Sequence, residues 1–389
     1  MRREARRKKV VEEPDDHTKI KRGILEGYLG AWLSILGQGG FPSVWYVDCC
    51  AGPGIGDDGS PTSGLLSVRQ SQSVFETHKV KRANCVVIEN DAEHYERLRT
   101  SIECEDIPAG ESLWCPPIEP EQWLDRVGET TGRDPGVYVY GIEADFQNVL
   151  PGLLRQIPAL GTPAFFFIDP YGYTDIPFDI VENILARPTV EIFLTFFAHH
   201  IARFGSDERN RERIQRVMGT EEIDSLTQGS LDEREEAILD AYVHNLYQAG
   251  ARFTCWFRVM RSDMRQTAYY LVHGSKDETA LKRMKDVMAT NRTPGMGACY
   301  GGPDHIQLSQ SLRLFNAEKG DLQDLLSEQF TKKTVTYEEL ELWVYENTQW
   351  VSKDLRPALR EMRDTGEIEY TAVTSKRNGL KGKDLLSFP

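Results

Sequence analysis

The segment Ser43–Gly56, SVWYVDCCAGPGIG, constrains the fold of this chain more than any other stretch. Val44 to Val47 are β-branched or aromatic with no alternation. That is the pattern of a short strand covered on both faces, as in parallel sheets flanked by helices. Asp48 stands where the run stops. Gly52 and Gly54 then let the backbone turn sharply and approach a neighbour closely. An apolar strand that ends in an acid and enters a glycine turn points to an α/β fold with ligands at the carboxyl edge of its sheet.

The chain repeats this unit. Residues 17–36 place Ile20, Ile24, Tyr28, Ala31, Trp32 and Ile35 at helical spacing ahead of the first strand. Ser63–Lys79 reads as a crossover helix, Asn84–Glu89 as a second strand with an acid at its tip, and Asn90–Ser101 as the next helix. Glu103–Pro135 shows no clear pattern. Val137–Ile142 is strand-like and leads into Glu143, Ala144, Asp145 and Phe146, with a short helix over Pro151–Ile157. Ala164–Ile168 is a fourth strand that runs into Asp169, Pro170, Tyr171, Gly172 and Tyr173. A helix over Asp179–Ala186 and a fifth strand over Glu191–Phe197 follow.

Residues 205–250 are charged and helical in pattern, and read as an insertion or cap. Arg252–Met260 and Gln266–Val272 are strands separated by a gap that only a hairpin can close, so they pair antiparallel. A dinucleotide dehydrogenase more often closes its sheet with another parallel unit. Five β/α units followed by such a hairpin are the sheet plan of class I methyltransferases, so the expected fold is α/β: a class I methyltransferase (Rossmann-like), seven-stranded sheet with a terminal antiparallel hairpin, a helical insertion and a C-terminal winged helix. The last rests on helices over Asp321–Phe330, Tyr337–Glu346 and Leu355–Thr365, then strands over Ile368–Val373 and Asp384–Phe388 around the basic turn Ser375–Lys383. The expected domains are a basic flexible arm (1–16), the α/β domain (17–292), a glycine- and proline-rich linker or loop (293–318) and the winged helix (319–389).

Composition narrows the function. A formal net charge of -14 over 389 residues argues against a uniformly positive, nucleic-acid-coated surface, while leaving room for local basic patches. The N-terminus has no apolar core segment and reads as a basic arm, not a secretory signal. No apolar run approaches the roughly 20 residues that cross a bilayer. The 7 cysteines include no C-x-x-C pair, and adjacent Cys49 and Cys50 point oppositely in extended chain. That argues for a reduced, cytoplasmic protein with no metal site.

The acids at the strand tips carry the chemistry. S-adenosylmethionine (SAM) presents a ribose diol, an adenine and an amino acid head beside its sulfonium. Glu89, with Asn90 beside it, can accept the ribose hydroxyls. Cys50, Ala51, Gly52 and Gly54 form the loop that leaves the cofactor room, and Asp48 reaches the methionine ammonium. Asp145 takes the adenine amine and Phe146 covers the ring. Ser60, Thr62 and Ser63 read as helix caps that also border the loop. Each acid alone also reads as a solvated strand end; their ordered recurrence favours a binding edge. SAM has no pyrophosphate, so the incomplete G-x-G-x-x-G weighs against NAD.

The corner IDPYGY is the second signal. In methyltransferases acting on exocyclic amines, an acid or amide here accepts a hydrogen bond from the amino group. The proline carbonyl is a second acceptor, and an aromatic ring stacks on the base, so that positioning supplies much of the catalysis. Asp169, Pro170 and Tyr171 or Tyr173 would fill these roles. Tyr171 departs from the common D-P-P-Y, and the form D-P-aromatic-G resembles tRNA guanine N2-methyltransferases more than DNA adenine enzymes. An Asp-Pro turn starter is the plain alternative.

Taken together, HTKIKRGILEGYLGAWLSIL, YVDCCAGPG, GSP at Gly59–Pro61, VVIEND, FFFIDPYGY and YYLVHGSKD resemble the three-Cys-motif partner protein family. That family is similar to class I SAM-dependent methyltransferases and is named for a neighbouring three-cysteine protein that resembles radical-SAM enzymes. The resemblance covers most of residues 17–290. It implies that Asp48, Gly52, Gly54, Glu89 and Asp169 occupy matching motif positions, that the partner is the three-cysteine protein, and that the origin is bacterial or phage-borne and cytoplasmic.

The tail fits nucleic acid, as a duplex or structured RNA, whether tRNA, rRNA or DNA. Lys353, Arg356, Arg360 and Arg363 form one helical stripe, while Leu355, Leu359 and Met362 fall on another face. Lys376, Arg377, Lys381 and Lys383 add a basic wing. Pro357 suggests that the helix starts near it, leaving Lys353 on the entering loop. A solvated charged face and a protein-docking winged helix are the alternatives. His199, His200 and Arg203 after the fifth strand read as a capped strand end or a phosphate site. The leading function is methyl transfer to an exocyclic amine of a nucleobase. The rivals are a methyltransferase-like scaffold that binds without turnover and, last, an NAD-dependent enzyme.

Overall fold

A computed structural model describes residues 16–77, 80–107, 110–115, 124, 135–157, 161–170, 176–261, 266–292, 297–300, 319–373 and 380–389. Of the expected features, residues 1–15, Tyr171, Tyr173, Lys376 and Arg377 lie outside the described residues. The chain divides into two compact units, Met1–Phe167 and Ile168–Pro389.

In the first unit, α1 (Asp16–Gln38) buries Ile24, Tyr28 and Trp32 on one face, and Tyr28 and Trp32 lie 5.3 and 5.7 Å from the Phe165 ring. Strand β1 (Val44–Asp48) is buried at every position. It pairs in parallel with β2 (Arg82–Glu89) on one side and β5 (Ala164–Ile168) on the other, which accounts for its unbroken apolar run. Helices α2 (Ser63–Glu76) and α3 (Ala92–Glu103) follow β1 and β2. Strand β4 (Gly136–Glu143) pairs in parallel with β2 and with the short β3 (Glu111–Trp114), a strand that the sequence did not reveal. Helix α4 spans Phe146–Gln156, five residues longer at its start than expected, with Pro151 inside it. Its N-cap is Asp145, which sets where it begins.

In the second unit, α5 (Phe178–Leu185) leads to β6 (Val190–Phe196) and α6 (Ala198–Phe204). The charged segment 205–250 is helical: a 3₁₀ turn, α7 (Arg211–Met218), α8 (Ile223–Leu226) and α9 (Leu231–Gln248), the last opened by a capping box of Ser230 and Glu233. Strands β7 (Phe253–Met260) and β8 (Thr267–Ser275) form the antiparallel hairpin, and β8 pairs antiparallel with β6. After α10 (Glu278–Thr290), β9 (Gly297–Tyr300) pairs antiparallel with β7, so the expected linker holds a strand.

The large sheet has the order β3-β4-β2-β1-β5-β6-β8-β7-β9. Among the described residues it has nine strands where seven were expected, because β3 and β9 add an edge on each side. Both are four residues long with no hydrophobic alternation, so periodicity could not show them.

The C-terminal module has α11 (Lys319–Phe330), β10 (Thr334–Thr336), α12 (Tyr337–Asn347), α13 (Ser352–Asp364), β11 (Glu369–Thr371) and β12 (Leu385–Ser387). Its three strands pair in the order β10-β12-β11. Leu322, Leu340, Leu355, Leu359 and Met362 build its core. Helix α13 starts at Ser352, so Lys353 lies in the first helical turn and not on an entering loop. Pro357 does not mark the start: it is the sixth residue of the helix, past the first turn, and cannot donate to the Lys353 carbonyl. Buried Lys285 of α10 donates to the carbonyl oxygens of Tyr345, at 2.6 Å, and Thr348. The Tyr345 hydroxyl donates to Asp286 at 2.6 Å. No helix of the described residues is long and apolar enough to cross a membrane.

Candidate functional site

The glycine loop between β1 and α2 is held from several sides. Glu89, at the tip of β2, accepts the Gly52 N–H at 2.8 Å with Oε2 and the Asp91 N–H at 3.0 Å with Oε1. Asp48 accepts the Cys50 N–H at 3.2 Å and the Tyr46 hydroxyl at 3.2 Å. Burial, then Asp48 beside it, pushes the Tyr46 phenol well above its usual range. Asp48 and Glu89 are 0% and 2% exposed, so neither is the solvated strand end that a lone acid suggests.

Thr62 occupies the N-cap position of α2, but its hydroxyl makes no capping bond. It donates to the Ala51 carbonyl at 2.7 Å and accepts the Gly54 N–H at 3.1 Å. Ser60 bonds Asp58. Gly52 and Gly54 take φ of +69° and +79°. A Cβ on Gly54 would lie 2.7 Å from Ser101 Cβ. Its bareness therefore serves close contact with α3. Cys50 is half-buried and Asn90 exposed beside this loop, while Ala51 is buried.

Asp145 is exposed and uses Oδ1 to accept the Gln147 N–H at 2.9 Å as the cap of α4; Phe146 is 5% exposed. Asp48, Glu89 and the glycine loop thus meet directly, whereas Asp145 and Phe146 are fixed separately by their own helix. In the second unit, Asp169 Oδ1 accepts the Thr195 hydroxyl at 2.6 Å, and Pro170 is buried. Thr195 was missed, although a hydroxyl within the apolar run EIFLTFF was a signal for it.

His199 Nδ1 lies 2.8 Å from Glu235 Oε2, and the Tyr270 hydroxyl donates to Glu235 Oε1 at 2.7 Å. Burial, then His199, Arg261 and Arg203, hold His200 below the usual imidazole range. These contacts favour the capped strand end. Glu235 was not legible because its partners come from distant segments.

On α13, Arg356, Arg360 and Arg363 are exposed on one face. Arg356 Nε donates to the Tyr337 hydroxyl at 3.1 Å, and Arg363 pairs with Asp364 at 2.7 Å. Lys353 Nζ donates to the Ala289 carbonyl at 3.3 Å, which turns it from the arginine stripe toward α10. Lys381 is exposed, and its backbone N–H donates to Asp384 at 2.8 Å.

Three helices and a three-stranded wing sheet decide what the tail is. Residues 303–375 match the family model of the GMT-like wHTH domain. A winged helix is compatible with nucleic-acid binding. No curated protein matches the chain. Among solved structures, protein LPL1258 from Legionella pneumophila str. Philadelphia 1, titled with the family model DUF519, is similar over 71% of this chain and 95% of its own, at 11% identity and a TM-score of 0.40.

Proposed function

We propose that the chain is a SAM-dependent N-methyltransferase acting on an exocyclic amine of a nucleobase in RNA or DNA, in the cytoplasm, within the three-Cys-motif partner family. One observation carries the reading: the 2.8 Å bond from Gly52 N–H to Glu89, which closes the glycine loop between the tips of adjacent parallel strands. The strand order also supports it. Relative to the doubly wound order 3-2-1-4-5-6, an antiparallel hairpin replaces the last parallel unit.

The residues present fit the cofactor. Each oxygen of Glu89 accepts one N–H, and a carboxylate oxygen has two lone pairs. Glu89 would hold the ribose hydroxyls, Asp48 the ammonium and Asp145 the adenine amine. Bound there, SAM would supply an electrophilic methyl group. Asp169, oriented by Thr195, would accept a hydrogen bond from the substrate amine and hold its nitrogen lone pair in line; Pro170 would offer its carbonyl. Tyr171 or Tyr173 would stack on the base.

Calorimetry with SAM, and transfer of tritiated methyl to tRNA, rRNA and genomic DNA, test the reading. Binding in the micromolar range and transfer abolished by Asp169→Ala are expected. Absence of SAM binding rejects it. The near-complete burial of Asp48 and Glu89 favours a second reading, a scaffold that binds the three-cysteine protein or nucleic acid without turnover. SAM binding with no transfer to any pool would select it.

A further inference from the structure

The winged helix carries a groove of about 290 Å³ between α13 and the wing. Its floor is Leu359, Ile368 and Leu386, core residues that are 1%, 3% and 1% exposed. Its rim is Arg356, Arg360 and Arg363, spread along about 10 Å of helix by the rise per residue. Tyr370 and Leu380 close the wing side.

Two of these groups are held in place before any ligand arrives. The Arg356 guanidinium lies 5.5 Å from the Tyr337 ring centroid and bonds its hydroxyl, which in turn donates to Glu341 at 2.8 Å. The Tyr370 hydroxyl donates to Asp384 at 2.6 Å, and Asp384 also accepts the N–H groups of Lys381 and Val373. Asp364 pairs with Arg363, but both are exposed, so the pair is weak and yields to a phosphate.

We infer that this groove takes an unpaired nucleotide from a single-stranded segment. The base would lie on the apolar floor against Tyr370, and the flanking phosphates would meet the arginines. A paired duplex keeps its base faces stacked and presents edges and phosphates, which leaves an apolar hollow without a partner. An unpaired base offers a flat apolar face beside its phosphate, the combination that an arginine-rimmed apolar hollow complements. Guanidinium groups suit both halves, since they bind phosphate bidentately and stack on rings. The inference rests on the nucleic-acid part of the function proposed above and does not require methyl transfer.

Fluorescence anisotropy of the full chain tests it, using labelled RNA and DNA single strands of about a dozen nucleotides and the same strands annealed to their complements. Either strand chemistry binding about tenfold tighter than its duplex supports the groove. Arg360→Ala should weaken single-strand binding about tenfold and reduce the salt slope by about one. Leu380→Glu, which sets a carboxylate at the groove wall, should weaken it as well. Equal affinity for duplex, or wild-type affinity in Arg360→Ala, overturns the inference. SAM calorimetry on the same samples separates the two claims. Arg360→Ala that binds SAM but not the single strand supports the groove. A wild-type chain that binds single strands in the expected way but never SAM loses the methyl-transfer reading and keeps the groove.

Discussion

Glu89 holds the backbone N–H of Gly52 at 2.8 Å across 37 residues of sequence. A glycine turn has few contacts of its own, and this carboxylate fixes where its amide points. Glu89→Ala leaves the N–H groups of Gly52 and Asp91 without their acceptor inside the fold. We expect a loss of about 2–4 kcal/mol in urea unfolding, together with loss of SAM binding. Glu89→Gln keeps one carbonyl oxygen and should lose less. An unchanged midpoint in Glu89→Ala would show that the carboxylate does not secure the loop.

Gly54 meets α3 where no side chain fits. At φ +79°, and with the new Cβ 2.7 Å from that of Ser101, Gly54→Ala meets both torsional strain and a clash. The expected destabilisation is about 1–3 kcal/mol. Adding Ser101→Gly should recover the steric part and leave the torsional part, a non-additivity measurable in a double-mutant cycle. Full recovery would show that the dihedral is not under strain.

Lys285 is fully buried and serves two helix-end carbonyls of the winged helix. Lys285→Met keeps the apolar stem but strands those carbonyls, at a cost of about 2–3 kcal/mol. Faster proteolysis of α12 and α13, with the mutant otherwise folded, is the expected sign. Unaltered protection would show that apolar packing alone holds the module against α10.

Burial sets the reactivity of the thiols. It pushes Cys85 up to about 11 and Cys255 up to about 12, both from an ordinary 9.0, while Cys104 is exposed. Iodoacetamide at pH 8 should label Cys104 well before Cys85 or Cys255, read by mass spectrometry. The raised folded values also fix a sign. Stability from these neutral thiols is complete below pH 9, where they are protonated in both states, and falls as pH rises from 9 through 11 to 12. The melting temperature should therefore drop between pH 9 and pH 11. A flat profile over that range would contradict it.

The α/β plan, the antiparallel hairpin and the winged helix were legible because each rests on local pattern. Val44 to Val47 and Ala164–Ile168 read as doubly covered strands, and Leu355, Leu359 and Met362 marked the inward face of α13. Strands β3 and β9 were not legible, since four residues without alternation take their pairing from a neighbour. The start of α4 was hidden because Asp145 can end a strand or cap a helix, and only its bond to Gln147 decides.

Residue order alone determined that acids stand at the carboxyl ends of the runs Val44–Asp48 and Asn84–Glu89, since a hydrophobic run is a local property. Tertiary structure decided what those acids do. Folding brings Glu89 onto Gly52, Asp169 onto Thr195 and Tyr370 beside the α13 arginines. Hydrogen bonds act over about 3 Å, and no periodicity along a chain specifies which distant groups come that close.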